Sequence, residues 1–262
     1  MKAILILLTL FTSALFAQTK KIKSFKVEDA VTFATVDRAG DFYIVLKTGE
    51  IQKFDKDGIK LASYKGKPNL TSFDPTNAIR LLTYYMDNHE YTWLSPSLSN
   101  PNPNFEKLDP SWAVDPSLIC IAGDYNLWIL DKADWNLKKI NPRLSTTLAE
   151  FSITKEIPNP QITIMKEYLN FIFLINAEKE ILAYNAIGKM IKKIEVQNLN
   201  HFNFLGEELY YQQGSTIHFF DLYTAEKRTM VLTSLYDKVL LTDERMFTIS
   251  GGNAIDVFEF KP

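Results

Sequence analysis

The sequence predicts an all-β fold closed as a six-bladed β-propeller, its last blade completed by the N-terminal strand. Three observations carry this reading. A strand motif recurs six times along the chain, shorter strand-like runs precede each copy, and the last unit lacks one strand while the first is preceded by a spare one. The motif is apolar, two spacers, apolar, then a turn-favouring polar residue. Its first positions are Ile51, Tyr91, Leu137, Ile181, Ile217 and Ile255, in steps of 40, 46, 44, 36 and 38 residues. Their mean of about 41 lies in the range of propeller blades.

In chain order, a second strand precedes each copy: Phe42 to Leu46, Ile79 to Tyr85, Leu127 to Leu130, Leu169 to Ile175, Leu209 to Tyr211 and Met246 to Ile249. A further run lies before four of these, at Val31 to Val36, Ile162 to Met165, Phe202 to Leu205 and Val239 to Leu241. Short runs rich in Ile, Val, Phe and Tyr, separated by Gly, Asp and Asn, are the mark of β-structure. A helical solenoid of similar period would need apolar residues three and four apart over ten or more positions, and the chain has none. The sixth unit stops after three strands, and Lys21 to Val27 supplies the fourth. Pairing the two ends leaves only short, protected sheet edges.

The N-terminus has a basic start at Lys2, an apolar run from Ile4 to Phe16 and a small residue, Ala17, before Gln18. These are the parts of a cleavable export signal. A membrane-spanning helix needs about 20 apolar residues, and this run is shorter. We expect residues 1–17 to be a signal peptide and 18–262 to be one propeller domain, exported to the periplasm and not inserted in the membrane. No cysteine lies near the cut to carry a lipid. Because the last unit runs to the end of the chain, no C-terminal sorting domain is expected.

Composition narrows the function. With 29 Lys+Arg against 31 Asp+Glu there is no overall basic field, which argues against a nucleic-acid partner. The single cysteine, Cys120, sits among Leu and Ile and reads as a buried small hydrophobe. His89, His201 and His218 fall in different units, without the short spacings of a metal site or a partnered catalytic base, so no cofactor is expected. Asp55-Lys56-Asp57-Gly58 lacks the distant Glu of a calcium loop and reads as a turn.

Two features remain. The turn after the first strand of each unit is acidic, with Asp37, Asp74, Asp124, Glu167, Glu207 and Asp243 on what would be one face. They are read either as ordinary turn formers or as an acidic ring able to hold a metal or a basic partner. The second feature is the proline-rich stretch 96 to 116, with Pro101, Pro103, Pro110, Phe105 and Trp112. Long insertions with aromatic anchors bind partners or pack on their own blade. Together with Tyr84, Tyr85 and Trp93, expected to be exposed nearby, Phe105 and Trp112 form the candidate partner surface.

Gly40-Asp41-Phe42-Tyr43-Ile44-Val45, followed by Gly49-Glu50-Ile51-Gln52-Lys53-Phe54-Asp55-Lys56-Asp57-Gly58, resembles a unit of the six-bladed propeller superfamily of NHL-type and TolB-like repeats. With its export signal, the chain resembles the exported propellers of Bacteroidota. The resemblance implies a non-enzymatic module docked on an envelope protein complex, down to a large outer-membrane translocon channel of type IX secretion whose periplasmic mouth the disc would plug. The rival expectation is a metal-dependent hydrolase or lactonase-like enzyme using the acidic turns, or a propeller holding a small ligand in its channel.

Overall fold

A computed structural model describes residues 20–262 apart from 101–103, 177–179, 197–198 and 200. The expected signal peptide lies outside the described residues. Strand β1 (Lys21–Lys26) precedes the first blade, β2 (Val31–Val36), β3 (Phe42–Leu46), β4 (Glu50–Phe54) and β5 (Lys60–Lys65). Blade 2 is β6 (Ser72–Asp74), β7 (Leu81–Tyr85), β8 (Glu90–Leu94) and β9 (Glu106–Lys107). Blade 3 is β10 (Pro116–Ile121), β11 (Leu127–Asp131), β12 (Asn136–Asn141) and β13 (Thr146–Ser152). Blade 4 is β14 (Ile162–Tyr168), β15 (Phe171–Asn176), β16 (Glu180–Asn185) and β17 (Met190–Glu195). Blade 5 is β18 (Phe202–Leu205), β19 (Glu208–Gln213), β20 (Thr216–Asp221) and β21 (Lys227–Val231). Blade 6 holds β22 (Lys238–Leu241), β23 (Arg245–Ser250) and β24 (Ala254–Glu259).

The six sheets are four-stranded and antiparallel, and the sixth runs β1-β24-β23-β22. The N-terminal strand therefore completes the last blade, with Phe25 opposite Ile255 and Ser24 opposite Asp256. Among the described residues, no helix is long and apolar enough to cross a membrane.

The core is divided among the blade interfaces. The buried side chains fall into six clusters, each drawn chiefly from two neighbouring blades. Middle strands such as β3, β7 and β11 are buried at every position, because each of their faces meets a neighbouring blade. Phe42 of blade 1 stacks on Phe247 of blade 6 at 4.7 Å, and Tyr43 meets Phe73 of blade 2 at 5.5 Å. Polar staples reinforce the wedges: the Tyr84 hydroxyl donates to the Pro116 carbonyl at 2.5 Å, and the Leu241 amide donates to the Tyr210 hydroxyl at 2.8 Å. The buried Asp131 carboxylate accepts from the Val114, Asp115 and Ala133 amides and from Lys138 Nζ. Burial alone would raise its pKa, but these donors outweigh that and hold it at about 2.

The outermost strands are different in character. In β1, β5 and β17 exposed positions alternate with covered ones, in β21 all but Met230 are exposed, and lysines stand at the edge: Lys21, Lys23 and Lys26, then Lys60 and Lys65, Lys192 and Lys193, and Lys227. Charge along an unpaired edge discourages pairing with another chain. Truncating Phe247 to Ala should cost about 3–5 kcal/mol in urea denaturation, because it empties the wedge that joins the last blade to the first.

Candidate functional site

In each blade the turns after the first and third strands emerge on one face, here the upper. The second-to-third turns and the loops between blades emerge on the lower face. The six acidic turn residues therefore share the upper face, as the sequence predicted, but they do not form a common site. Asp37 accepts from the Ala39 and Asp41 amides and the Tyr43 hydroxyl. Asp74 accepts from the Thr76 amide and hydroxyl within its turn and from the Ile121 amide of the next blade, at 2.7 Å. Glu167 reaches back to blade 3, accepting from the Gly123 amide at 2.7 Å and Trp128 Nε1 at 2.6 Å. Asp124 is paired with Lys139 at 2.8 Å. Asp243 and Glu207 are exposed. Among the described residues no three His, Cys, Asp or Glu side chains are grouped to hold a metal. The carboxylates cap turns and tie blades together. Burial raises the pKa of Asp37 and of Glu167 against these lowering hydrogen bonds.

A cavity of about 440 Å³ lies in the central channel and opens among the upper turns. First strands of all six blades line it, with Phe33 and Thr35 from β2, Phe73 from β6, Leu118 from β10, Phe204 from β18 and Leu241 from β22. Lys166 of β14 stands in its wall, where burial pushes its ammonium down to about 8 and Asp74 partly offsets the fall. His201 is held neutral by burial and by the nearby charges of Lys166 and Lys238.

The aromatic residues proposed for the partner surface are placed otherwise than expected. Tyr84 and Tyr85 are 0% and 2% exposed, and Trp112 is 7% exposed. Tyr84 and Tyr85 lie on β7, whose two faces are both covered. The Tyr85 hydroxyl accepts from the Lys67 amide, and its ring meets Phe105 edge-on at 5.3 Å. Trp112 packs into the wedge between blades 2 and 3 and donates from Nε1 to the Ser145 hydroxyl at 2.8 Å. Phe105 is half-buried, with Lys67 Nζ 3.6 Å above its ring. The stretch 96 to 116 thus includes the outer strand β9 and packs Leu98, Leu108, Trp112 and Ala113 onto its own molecule. Pro101 and Pro103 lie outside the described residues. Only Trp93 keeps an upper-face position with partial exposure, its ring under the Arg80 guanidinium at 4.2 Å. Cys120 is buried, as read from the sequence, and burial raises its thiol pKa.

What sequence reasoning missed is a ring of large apolar side chains on the upper face. Ile59, Leu144, Ile187 and Tyr223 each occupy the third-to-fourth turn of a different blade, and Ile79 and Tyr125 sit on first-to-second turns. All six are between 49% and 83% exposed. Of the other exposed large apolar residues among those described, Val114 and Leu235 lie in lower-face loops, and Ile22, Leu61, Leu148, Ile191 and Val231 lie on the outermost strands. Five of the six are held by an Asp or Asn at the head of their own turn. The amides of Ile59, Leu144, Ile187, Tyr223 and Ile79 donate to Oδ1 of Asp55, Asn141, Asn185, Asp221 and Asn77 at 2.8, 3.1, 3.2, 2.9 and 2.8 Å. Such side-chain-closed turns fix the backbone and leave the next side chain projecting. Behind Ile187, Gly188 has φ +82°, and a Cβ there would lie 2.4 Å from the Phe151 ring, so this turn is seated hard against blade 3.

Neither the profiles of known families nor the curated proteins match this chain. Solved structures do match. A catalytically inactive virginiamycin B lyase from Staphylococcus aureus, solved with quinupristin, is 12% identical with a TM-score of 0.54, over 88% of this chain and 80% of that one. The WD40 domain of Neurospora crassa Pan2 is 8% identical with a TM-score of 0.59, over 93% of this chain and 86% of that one. The extracellular domain of a hybrid two-component system from B. thetaiotaomicron is 9% identical with a TM-score of 0.55; the match spans 87% of this chain and a 33% share of that longer one. At such identities the likeness is one of fold, and the fold is the propeller.

Lys166 gives the channel a testable signature. Its folded pKa lies below the unfolded value, so between about pH 8 and pH 10 the unfolded chain binds more protons and stability rises with pH. Replacing Lys166 with Met should remove that rise, which we place at about 1–3 kcal/mol. Urea denaturation of wild type and variant at pH 7 and pH 9.5 measures the difference.

Proposed function

We propose that the protein is a non-enzymatic docking disc that binds another protein through its upper face. The observation that supports this is the ring of turn-held apolar side chains. Monomeric proteins expose single apolar residues often, but a set gathered on one face and fixed in closed turns resembles the anchors of an interface. Little ordering entropy remains to be lost when such anchors are covered, which favours tight association. The mouth of the channel, within the ring, carries the exposed Asp243 and Glu207, so the partner should be apolar around its contact and basic at its centre.

The finer reading places the disc in the periplasm, against an envelope complex. The export-signal pattern and the likeness of the sequence to exported Bacteroidota propellers support it. In this reading the partner is a large outer-membrane translocon channel of type IX secretion, and the disc covers its periplasmic mouth. Mechanism would then be steric: a stiff plate over the opening blocks passage until the channel engages a substrate and releases it.

Replacing Leu144 and Ile187 together with Asp should leave the unfolding free energy from urea denaturation within about 0.5 kcal/mol of wild type, since both side chains are solvent-facing. The same pair should lower recovery of the partner at least about tenfold when tagged protein is drawn from detergent-solubilised envelopes. Undiminished recovery would reject the upper face, and recovery of no envelope protein by the wild type would reject a stable docking role.

A further inference from the structure

The channel is narrowed part way along its axis. Phe33 belongs to blade 1, yet its ring lies 6.0 Å from the His201 ring of blade 5 and 5.9 Å from Lys166 Nζ of blade 4. A side chain that reaches the blades opposite its own must cross the centre. The cavity is therefore a cup, open among the turns at 37–40, 75–76 and 242–244 and narrowed below them by Phe33. At about 440 Å³ it falls within the size range of small-molecule sites, and like them it is mostly apolar with a few polar groups.

Of those polar groups, the mouth carboxylates Asp37, Asp74 and Glu167 have both oxygens engaged by hydrogen bonds within the fold. Lys166 is in the opposite condition. An ammonium has three donors. This one gives a bond of 3.0 Å to the Phe202 carbonyl and a long contact of 3.4 Å to Asn203 Oδ1. Its remaining surroundings are the rings of Phe33 and Phe202, the latter at 5.3 Å. Among the described residues no carboxylate pairs with it. Asp74, the acid that acts on it through space, is committed to the Ile121 amide and to Thr76. A cation in an apolar wall without a counter-ion is costly, and an anion supplied from outside removes the cost.

We propose that the cup binds a small amphipathic molecule with a single carboxylate on an apolar, ring-sized body, the carboxylate resting on Lys166 and the body on Phe33, Phe73 and Phe204. The acidic mouth, with Asp37, Asp74, Glu167, Asp243 and Glu244 against Arg38 and Lys56, selects against phosphates and other polyanions. It passes a ligand whose one negative charge is carried to the bottom. This site does not depend on the docking role: it would stand in a protein with no partner.

The test uses 4-phenylbutyrate beside two probes of the same body, 4-phenylbutanol and 4-phenylbutylamine, in calorimetric titrations of the full mature chain at pH 7. The carboxylate should bind at least about tenfold more tightly than the alcohol, the worth of one charge-assisted hydrogen bond, and the amine more weakly than either. In Lys166→Met the carboxylate's advantage should disappear while the alcohol still binds. Wild type at pH 9.5 supplies a mutation-free control, because loss of the Lys166 charge should bring the carboxylate down towards the alcohol. The charged groups around Lys166 are Asp74 on β6 and Glu167 on β14, both held by hydrogen bonds within the fold, and Lys238 on β22, beyond the neutral His201, whose pKa burial also lowers. Equal binding of the three probes, a carboxylate preference that survives in Lys166→Met, or no carboxylate binding at millimolar concentration would each overturn the proposal.

Discussion

A blade of this protein cannot bury itself. Each four-stranded sheet has two apolar faces, and only the sheets on either side can cover them, so every one of the six core clusters belongs to a pair of neighbours. The arrangement is satisfied only when the ring closes, and closure is the pairing of β1 with β24, residues at the two ends of the described chain. The stack of Phe42 on Phe247 and the contact of Phe25 with Phe54, at 5.1 Å, make the closing wedge as apolar as the other five. Carboxylates supplement the packing. Asp74 and Glu167 each leave their own blade to accept backbone amides from blade 3, so these turn residues serve as staples.

Periodicity revealed the third strands because they are the most uniform part of each unit: central in the sheet, followed at once by a turn, and apolar at fixed positions. The second strands, and the first strands of blades 1, 4, 5 and 6, were legible for the same reason. The outermost strands were not, since β5, β17 and β21 are half solvated and rich in Lys, and β9 is only two residues long. The N-terminal strand could be assigned to the last blade because its absence there was countable.

The site was less legible than the frame. Tyr84 and Tyr85 suggested an interface, but Leu81 to Tyr85 has no polar alternation, and an unbroken run of this kind marks a strand covered on both faces. The residues that do project are single apolar side chains after an Asp or Asn, as in Asn185-Ala186-Ile187 and Asp221-Leu222-Tyr223. That signal was present in the sequence, hidden because turn formers are expected there whatever follows them. Lys166 offered no signal at all. Its meaning depends on Phe33 crossing the axis from a blade far away in sequence, a relation only the closed ring creates. The division of labour is physical: the wedges demand apolar residues at set intervals, whereas the turns above them are free to vary, and chemistry is placed where the frame makes no demand.

Photocrosslinking in intact cells tests most directly whether the upper face is the working face. A photoreactive phenylalanine analogue would be placed, one position at a time, at Ile59, Tyr223 and Ile79 above, and at Val114 and Leu235 below, all of them solvent-exposed. The docking proposal predicts that one partner protein is captured from the three upper positions and not from the two lower ones. Capture of that protein from Val114 or Leu235, with none from the upper turns, would contradict it.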